Sequence, residues 1–230
     1  MLAVIGEILP LTLGIAISPI PIIAAILMLL SPTARGTSVG FLVGWIAGIL
    51  VAVSVFALLS SAIPKEDTDQ TKPIVGVVQL ALAVLILLVG LKEWRGRPRG
   101  DEEPALPKWM QAIDSLTAAK ALGLGFLLAA VNPKNLLMAI AAGLAIGAAG
   151  LGTGSAAVAV LIFTLLAGST VAIPVISYLV ASERMADPLE TLRTWLVHTN
   201  ATVMSILMLV IGFVMLGNAL GNFQGVLTGG

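Results

Sequence analysis

Long apolar runs, separated by short clusters of charge, recur from one end of this chain to the other. A helix needs about 20 mainly apolar residues to cross the core of a bilayer. Residues 37–62, 73–91, 153–180 and 195–220 each read as one such crossing. Residues 2–31 and 117–149 are as apolar, but each is longer than a straight crossing requires and is interrupted by proline. Pro10, Pro19 and Pro21 lie in the first and Pro133 in the second. Of the 230 residues 58% are hydrophobic and 10% charged, with a mean hydropathy of +1.07. Soluble domains carry about 25% charged residues, so this chain has too little polar surface to face water. The pattern predicts an all-α, polytopic membrane protein of six transmembrane helices, of which the first and fourth are broken. The first segment has no basic stretch ahead of it and carries Glu7, so it is expected to be a span and not a cleaved signal.

The charges divide unevenly between the loops. With six spans, the first, third and fifth loops share one side and hold Arg35, then Lys92, Arg95, Arg97, Arg99, Lys108 and Lys120, then Arg184 and Arg193. The opposite loops hold only Lys65 and Lys72. Basic loops stay in the cytoplasm, which predicts a multi-pass protein of the cytoplasmic membrane with both termini outside. The net charge of zero, scattered in small clusters, offers nothing to nucleic acid. There are no cysteines, which excludes disulfides, thiolate metal sites and thiol redox chemistry.

An internal repeat organises the chain. Shifted by 114 residues, Ser18-Pro19 falls on Asn132-Pro133, Gly36 on Gly150 and Gly40 on Gly154; a later shift of 127 lays Gly90 on Gly217. An odd number of spans per repeat turns the second half upside down relative to the first. Many secondary transporters are built so, with sites near the midplane where discontinuous helices meet. The expected organisation is a first three-helix repeat over residues 1–94 and a basic, Pro-containing cytoplasmic linker over 95–116. A second three-helix repeat covers 117–223, and a disordered tail 224–230. Gly36, Gly40, Gly44 and Gly48 recur every four residues, and small residues at that spacing let membrane helices pack closely. Gly143, Gly147, Gly150 and Gly154 are expected to form a similar surface, and such faces also permit a homodimer.

Lys134 is the residue that most needs an explanation. It falls near the middle of its apolar segment, where a charge costs at least about 2.5 kcal/mol. Asn132 and Asn135 flank it and Pro133 opens the backbone beside it. A helix restarting at Pro133 would direct free N–H groups and its positive end into the break. A cation at a helix N-terminus suits a sulfate, phosphate or carboxylate better than a metal ion; the bland alternative is that Lys134 only holds the break together. Ser18, Pro19 and Pro21 form the matching break and complete the candidate substrate-binding set. Glu7 and His198 are the candidate proton carriers, although an interfacial carboxylate and an interfacial hydrogen-bonding imidazole are the commoner roles. Glu7 reaches Lys134 only if its segment folds back. Met138, Met204 and Met208 are expected to face lipid or fill the core, not to bind a metal.

These residues resemble the lysine-exporter superfamily, which carries a proline-rich break in its first span and an Asn-Pro-Lys break in its fourth. Here the breaks stand as Ser18-Pro19-Ile20-Pro21 and Asn132-Pro133-Lys134. Within it the chain looks most like the branch of sulfolipid- or peptidoglycolipid-addressing proteins, the GAP family, over nearly its whole length to about residue 223. The resemblance implies help in moving cell-envelope lipids across the membrane and implies no known catalytic residues; no cofactor is expected. The first break lacks the Pro-Gly-Pro of amino-acid exporters, which points away from that substrate class.

Three readings compete: an anionic-lipid transporter, an exporter of amino acids or other small solutes, and a non-transporting scaffold for lipid-synthesis partners. An enzyme would need acid/base groups or metal ligands within reach of one another. One histidine and scattered carboxylates do not supply them. No Gly-rich loop ends in Lys-Ser/Thr, so coupling to protons or to membrane potential is expected in place of nucleotide hydrolysis.

Overall fold

The computed structural model describes residues 1–62, 68–97, 110, 113 and 115–227, and the regular structure among them is helical. The elements are α1 (Leu2–Ala16), α2 (Pro19–Leu29), α3 (Ala34–Ser61), α4 (Thr68–Arg95), α5 (Ala118–Ala130), α6 (Pro133–Ala148) and α7 (Thr153–Leu227). Lys65, the linker residues Pro98, Arg99, Pro104, Pro107 and Lys108, and residues 228–230 lie outside the described residues, as does the side chain of Lys72.

Four stretches are long and apolar enough to cross a membrane: Ala34–Ser61, Gly76–Arg95, Thr153–Ser182 and Ala201–Gly221. α1 with α2, and α5 with α6, form two further pairs bent by 49° and 61°; counting each pair as one span brings the total to six. The bends fall where proline fits at no cost. Pro19 and Pro133 each open a helix, where a missing N–H and a fixed φ are already compatible with the first turn. Pro10, expected to break the first segment, does not: α1 runs through it. An interior proline leaves the carbonyl four residues back without its helical donor, here that of Gly6, and Gly6, Glu7 and Pro10 together line an open cleft.

Glycines set how closely the bundle packs. A Cβ on Gly40 or Gly44 would fall on the carbonyl oxygens of Ala118 or Leu122, and one on Gly48 would lie 2.7 Å from Ala129 Cβ. α5 thus runs along α3 with the two backbones in contact. α6 continues along the same helix, with the Gly143 position 2.6 Å from Phe56 Cβ and Gly147 against Ala57 and Ser60. The break between α5 and α6 therefore lies level with the middle of α3. The expectation of an equivalent glycine surface in the second half fails in part. Gly154 and Gly217 face open space, while Gly150 takes φ 66° in the turn between α6 and α7, a conformation that favours glycine. Gly90 packs on Met208, so its match to Gly217 is not a shared packing role.

Two other expectations change. The fifth loop is helical: α7 passes from one apolar stretch to the next with non-helical backbone only at Ala181 (φ −143°, ψ 55°), and Leu189 and Leu196 bury one face of the connecting stretch. α7 also continues to Leu227, so residues 224–227, read as tail, are helical. In the linker, Met110 and Ile113 are buried in the core. Met138, Met204 and Met208 are also core residues.

The α3–α5 contact yields a direct test. Gly44→Ala should cost about 1–3 kcal/mol through overpacking and lower the melting temperature of detergent-purified protein, whereas Gly154→Ala should leave it unchanged.

Candidate functional site

The break between α5 and α6 is held by its own asparagines. Asn132 is the N-cap of α6, and its Oδ1 accepts from the Lys134 backbone N–H at 3.1 Å. Asn135 is fully buried, and its Nδ2 donates to the Leu128 carbonyl at 2.8 Å, reaching back across the bend to the last turns of α5. Its Oδ1 is buried and has no hydrogen-bond partner among the described residues. The sequence suggests free N–H groups here, but Pro133 has none and that of Lys134 is taken by Asn132. The positive end of α6 remains, with fewer open donors.

Lys134 is neither in bulk water nor alone. Its side chain is 19% exposed, and Nζ lies 2.8 Å from Oε1 of Glu93, itself 27% exposed. Glu93 sits in the last turn of α4, between Lys92 and Arg95. Sequence reasoning treated this cluster as the end of a span and missed Glu93 as a site residue. A single acidic residue inside a basic helix end was the only signal available.

The first break is built differently. Ser18 is the N-cap of α2, is buried, and makes no side-chain capping bond. Pro19 and Pro21 are buried beside it. Because both lack an N–H, only Ile20 and Ile22 have donors to offer there. The Ala16 carbonyl at the end of α1 accepts from Thr170 Oγ1 of α7, another residue the sequence did not single out. The two bent segments meet where a Cβ on Gly14 would lie 3.0 Å from Met138 Sδ. Among the described residues, no hydrogen bond joins Ser18 to Asn132, Lys134 or Asn135.

Glu7 and His198 stand apart from this centre. Glu7 lines a small cavity with Gln79 of α4 and Asn218 of α7, walled by Leu82, Ala141 and Ile211. Its volume is about 20 Å³, room for one water molecule. His198 is exposed, and its Nδ1 lies 2.8 Å from the Thr194 carbonyl of its own helix. The structure does not bring either one to Lys134. Farther along the bundle, an apolar groove of about 460 Å³ opens between α3, α6 and α7, floored by Ala57, Gly147, Ala156 and Ala157.

Thr170 offers the cleanest test of how the first break is stabilised. Thr170→Val keeps the shape but leaves the Ala16 carbonyl unsatisfied, at an expected cost of about 1–3 kcal/mol. The melting temperature in detergent should fall accordingly. Thr191→Val, which loses only an exposed bond to the Asp187 carbonyl of its own helix, should not change it.

No curated protein and no solved structure matches this chain. The model of the family described as Sap, sulfolipid-1-addressing protein, matches residues 8–221, which include both bends, Glu93 and Lys134. A match over that much of the chain makes this membrane protein a member of the sulfolipid-1-addressing protein family.

Proposed function

We propose that this chain is a transporter that moves an anionic cell-envelope lipid or glycolipid across the cytoplasmic membrane, with Lys134 holding the anionic head group. The observation that carries the reading is a partly accessible ammonium at a helix break level with the middle of α3. An ionisable residue at that depth marks a substrate or ion pathway in most membrane proteins. The compact, three-donor ammonium of lysine suits a tetrahedral sulfate or phosphate ester as a point charge. The family's own description names a sulfolipid, whose sulfate ester would be such an anion. The groove floored by Ala57, Gly147, Ala156 and Ala157 gives acyl chains an apolar side opening. The reading assigns the chain no covalent chemistry and no cofactor.

The same reading makes the two halves inverted repeats that alternate access around the breaks. The order of elements supports it: a bent pair and two long apolar stretches, repeated once. Direction supports it as well. α1 passes Ala141 and Leu144 near Glu7 and reaches Met138 at Gly14, so it runs against α6, whereas α5 runs alongside α3. Both termini would face outward, as the distribution of Lys and Arg suggests.

Two experiments test these statements. Lys134→Gln should reduce transfer of a sulfated glycolipid in proteoliposomes by about tenfold or more, while Lys134→Arg keeps part of it; full transfer by Lys134→Gln would favour the scaffold reading. Because the chain has no cysteine, single cysteines report topology cleanly. A membrane-impermeant maleimide added to intact cells should label Gly152→Cys and leave Arg184→Cys unlabelled.

A further inference from the structure

We infer that the Glu93 carboxylate is a resident occupant of the anion site, and that an anionic head group reaches Lys134 by displacing it. The inference rests on the reading of Lys134 as the anion-binding group. Its basis is the ion pair between Lys134 Nζ and Glu93 Oε1, at 2.8 Å the length of a charge-assisted hydrogen bond. The other ion pair among the described residues, Arg193 with Glu190, lies within one helix and on its surface. The Glu93 pair is of another kind. It joins the last turn of α4 to the first turn of α6, elements on opposite sides of the linker.

Such a pair solves a specific problem for an anion site inside a membrane. With the site empty, a lone ammonium there would be a partly desolvated charge without a counter-ion, which is unfavourable. Glu93 neutralises it. When a sulfate or phosphate ester arrives, Lys134 exchanges one oxyanion for another and at no stage is left without a counter-charge. The released carboxylate has cations on its own segment, with Lys92 and Arg95 in the same last turn of α4. Arg97, four residues on, now stacks 3.5 Å over the Trp94 ring. Neither member of the pair is sealed, at 19% and 27% exposed, so exchange needs no unfolding of the bundle.

Two consequences follow from competition with a carboxylate. The site selects ligands of net negative charge, such as sulfate and phosphate esters without a balancing cation, over neutral or zwitterionic lipids. Binding also cuts the tie between α4 and α6, so that an occupied site differs from an empty one in how the two halves are held together. The shared chemistry is that of an oxyanion ester, whether presented by a lipid or free in solution.

The test measures binding of sulfatide, a sulfated glycolipid, and of inorganic sulfate to the purified full chain in detergent. Glu93→Gln removes the competitor and should bind sulfatide about fivefold tighter or more, while Lys134→Gln loses binding. Tightening for both probes assigns recognition to the oxyanion itself, and tightening for sulfatide alone assigns it to the lipid head group. If Glu93→Gln binds no tighter than the unaltered protein while Lys134→Gln still loses binding, Glu93 is only a structural brace and the inference is overturned, with the anion-site reading intact. Should Lys134→Gln bind as well as the unaltered protein, the anion-site reading itself fails. A second measurement needs no substitution. Labelling of Glu93 by a water-soluble carbodiimide, read by mass spectrometry, should increase when sulfatide is added; unchanged or reduced labelling overturns displacement even if the Gln variant misfolds.

Discussion

Backbone hydrogen bonding in hydrocarbon constrains this molecule more than any other interaction. No water is present there to satisfy a freed carbonyl, and each one left bare costs several kcal/mol. The chain nonetheless interrupts two of its apolar segments. It does so by placing a side-chain donor on a carbonyl at each bend: Thr170 of α7 on Ala16, and Asn135 of the same bent segment on Leu128. Asn132 closes the other side of the second bend by capping α6. The first break lies inside the bundle, with Ser18 and Pro19 buried, while the second reaches the bundle surface, with Val131 and Pro133 exposed beside the buried Asn135. Close approach of α3 and α5, permitted by Gly40, Gly44 and Gly48, keeps the second bend in place.

A break in a membrane helix is also a place where a charge can find polar partners. The start of α6 brings a lysine to a point where its ammonium can find an oxyanion, and the end of α4 supplies one in Glu93. The pair is partly accessible, so its value to stability is modest. Its partial exposure is what the proposed exchange with an anionic head group relies on. A fully buried pair would be a fixed strut and a fully exposed one would be screened by salt. This pair lies between those limits, at 19% and 27% exposed.

Particular residues show how far sequence reasoning carries. Pro19 and Pro133 were legible as break points because proline fits the first position of a helix. Pro10, Pro174 and Pro188 lie inside helices despite the same chemistry, since whether a freed carbonyl is tolerated depends on what lies beside it. The four-residue spacing of Gly40, Gly44 and Gly48 was readable as a packing face because period and face are linked within one helix. Gly154 and Gly217 share the composition but meet nothing, and only the arrangement of helices tells the two cases apart. Lys134 was conspicuous as an isolated charge in an apolar segment. Glu93 was not, because in sequence it is one of several charges that end a span.

From the amino-acid sequence alone, the membrane class, the positions of the apolar stretches, the two breaks and the one lysine beside the second break were all determined. Each depends on composition and spacing within a single segment, and the free energy of placing that segment in hydrocarbon is nearly independent of its neighbours. Tertiary structure decided the pairings: Glu93 with Lys134, Thr170 with Ala16, Glu7 across a cavity from Gln79 and Asn218. Those choices rest on which helix faces meet, and that is set by close packing of many side chains at once, not by any local pattern.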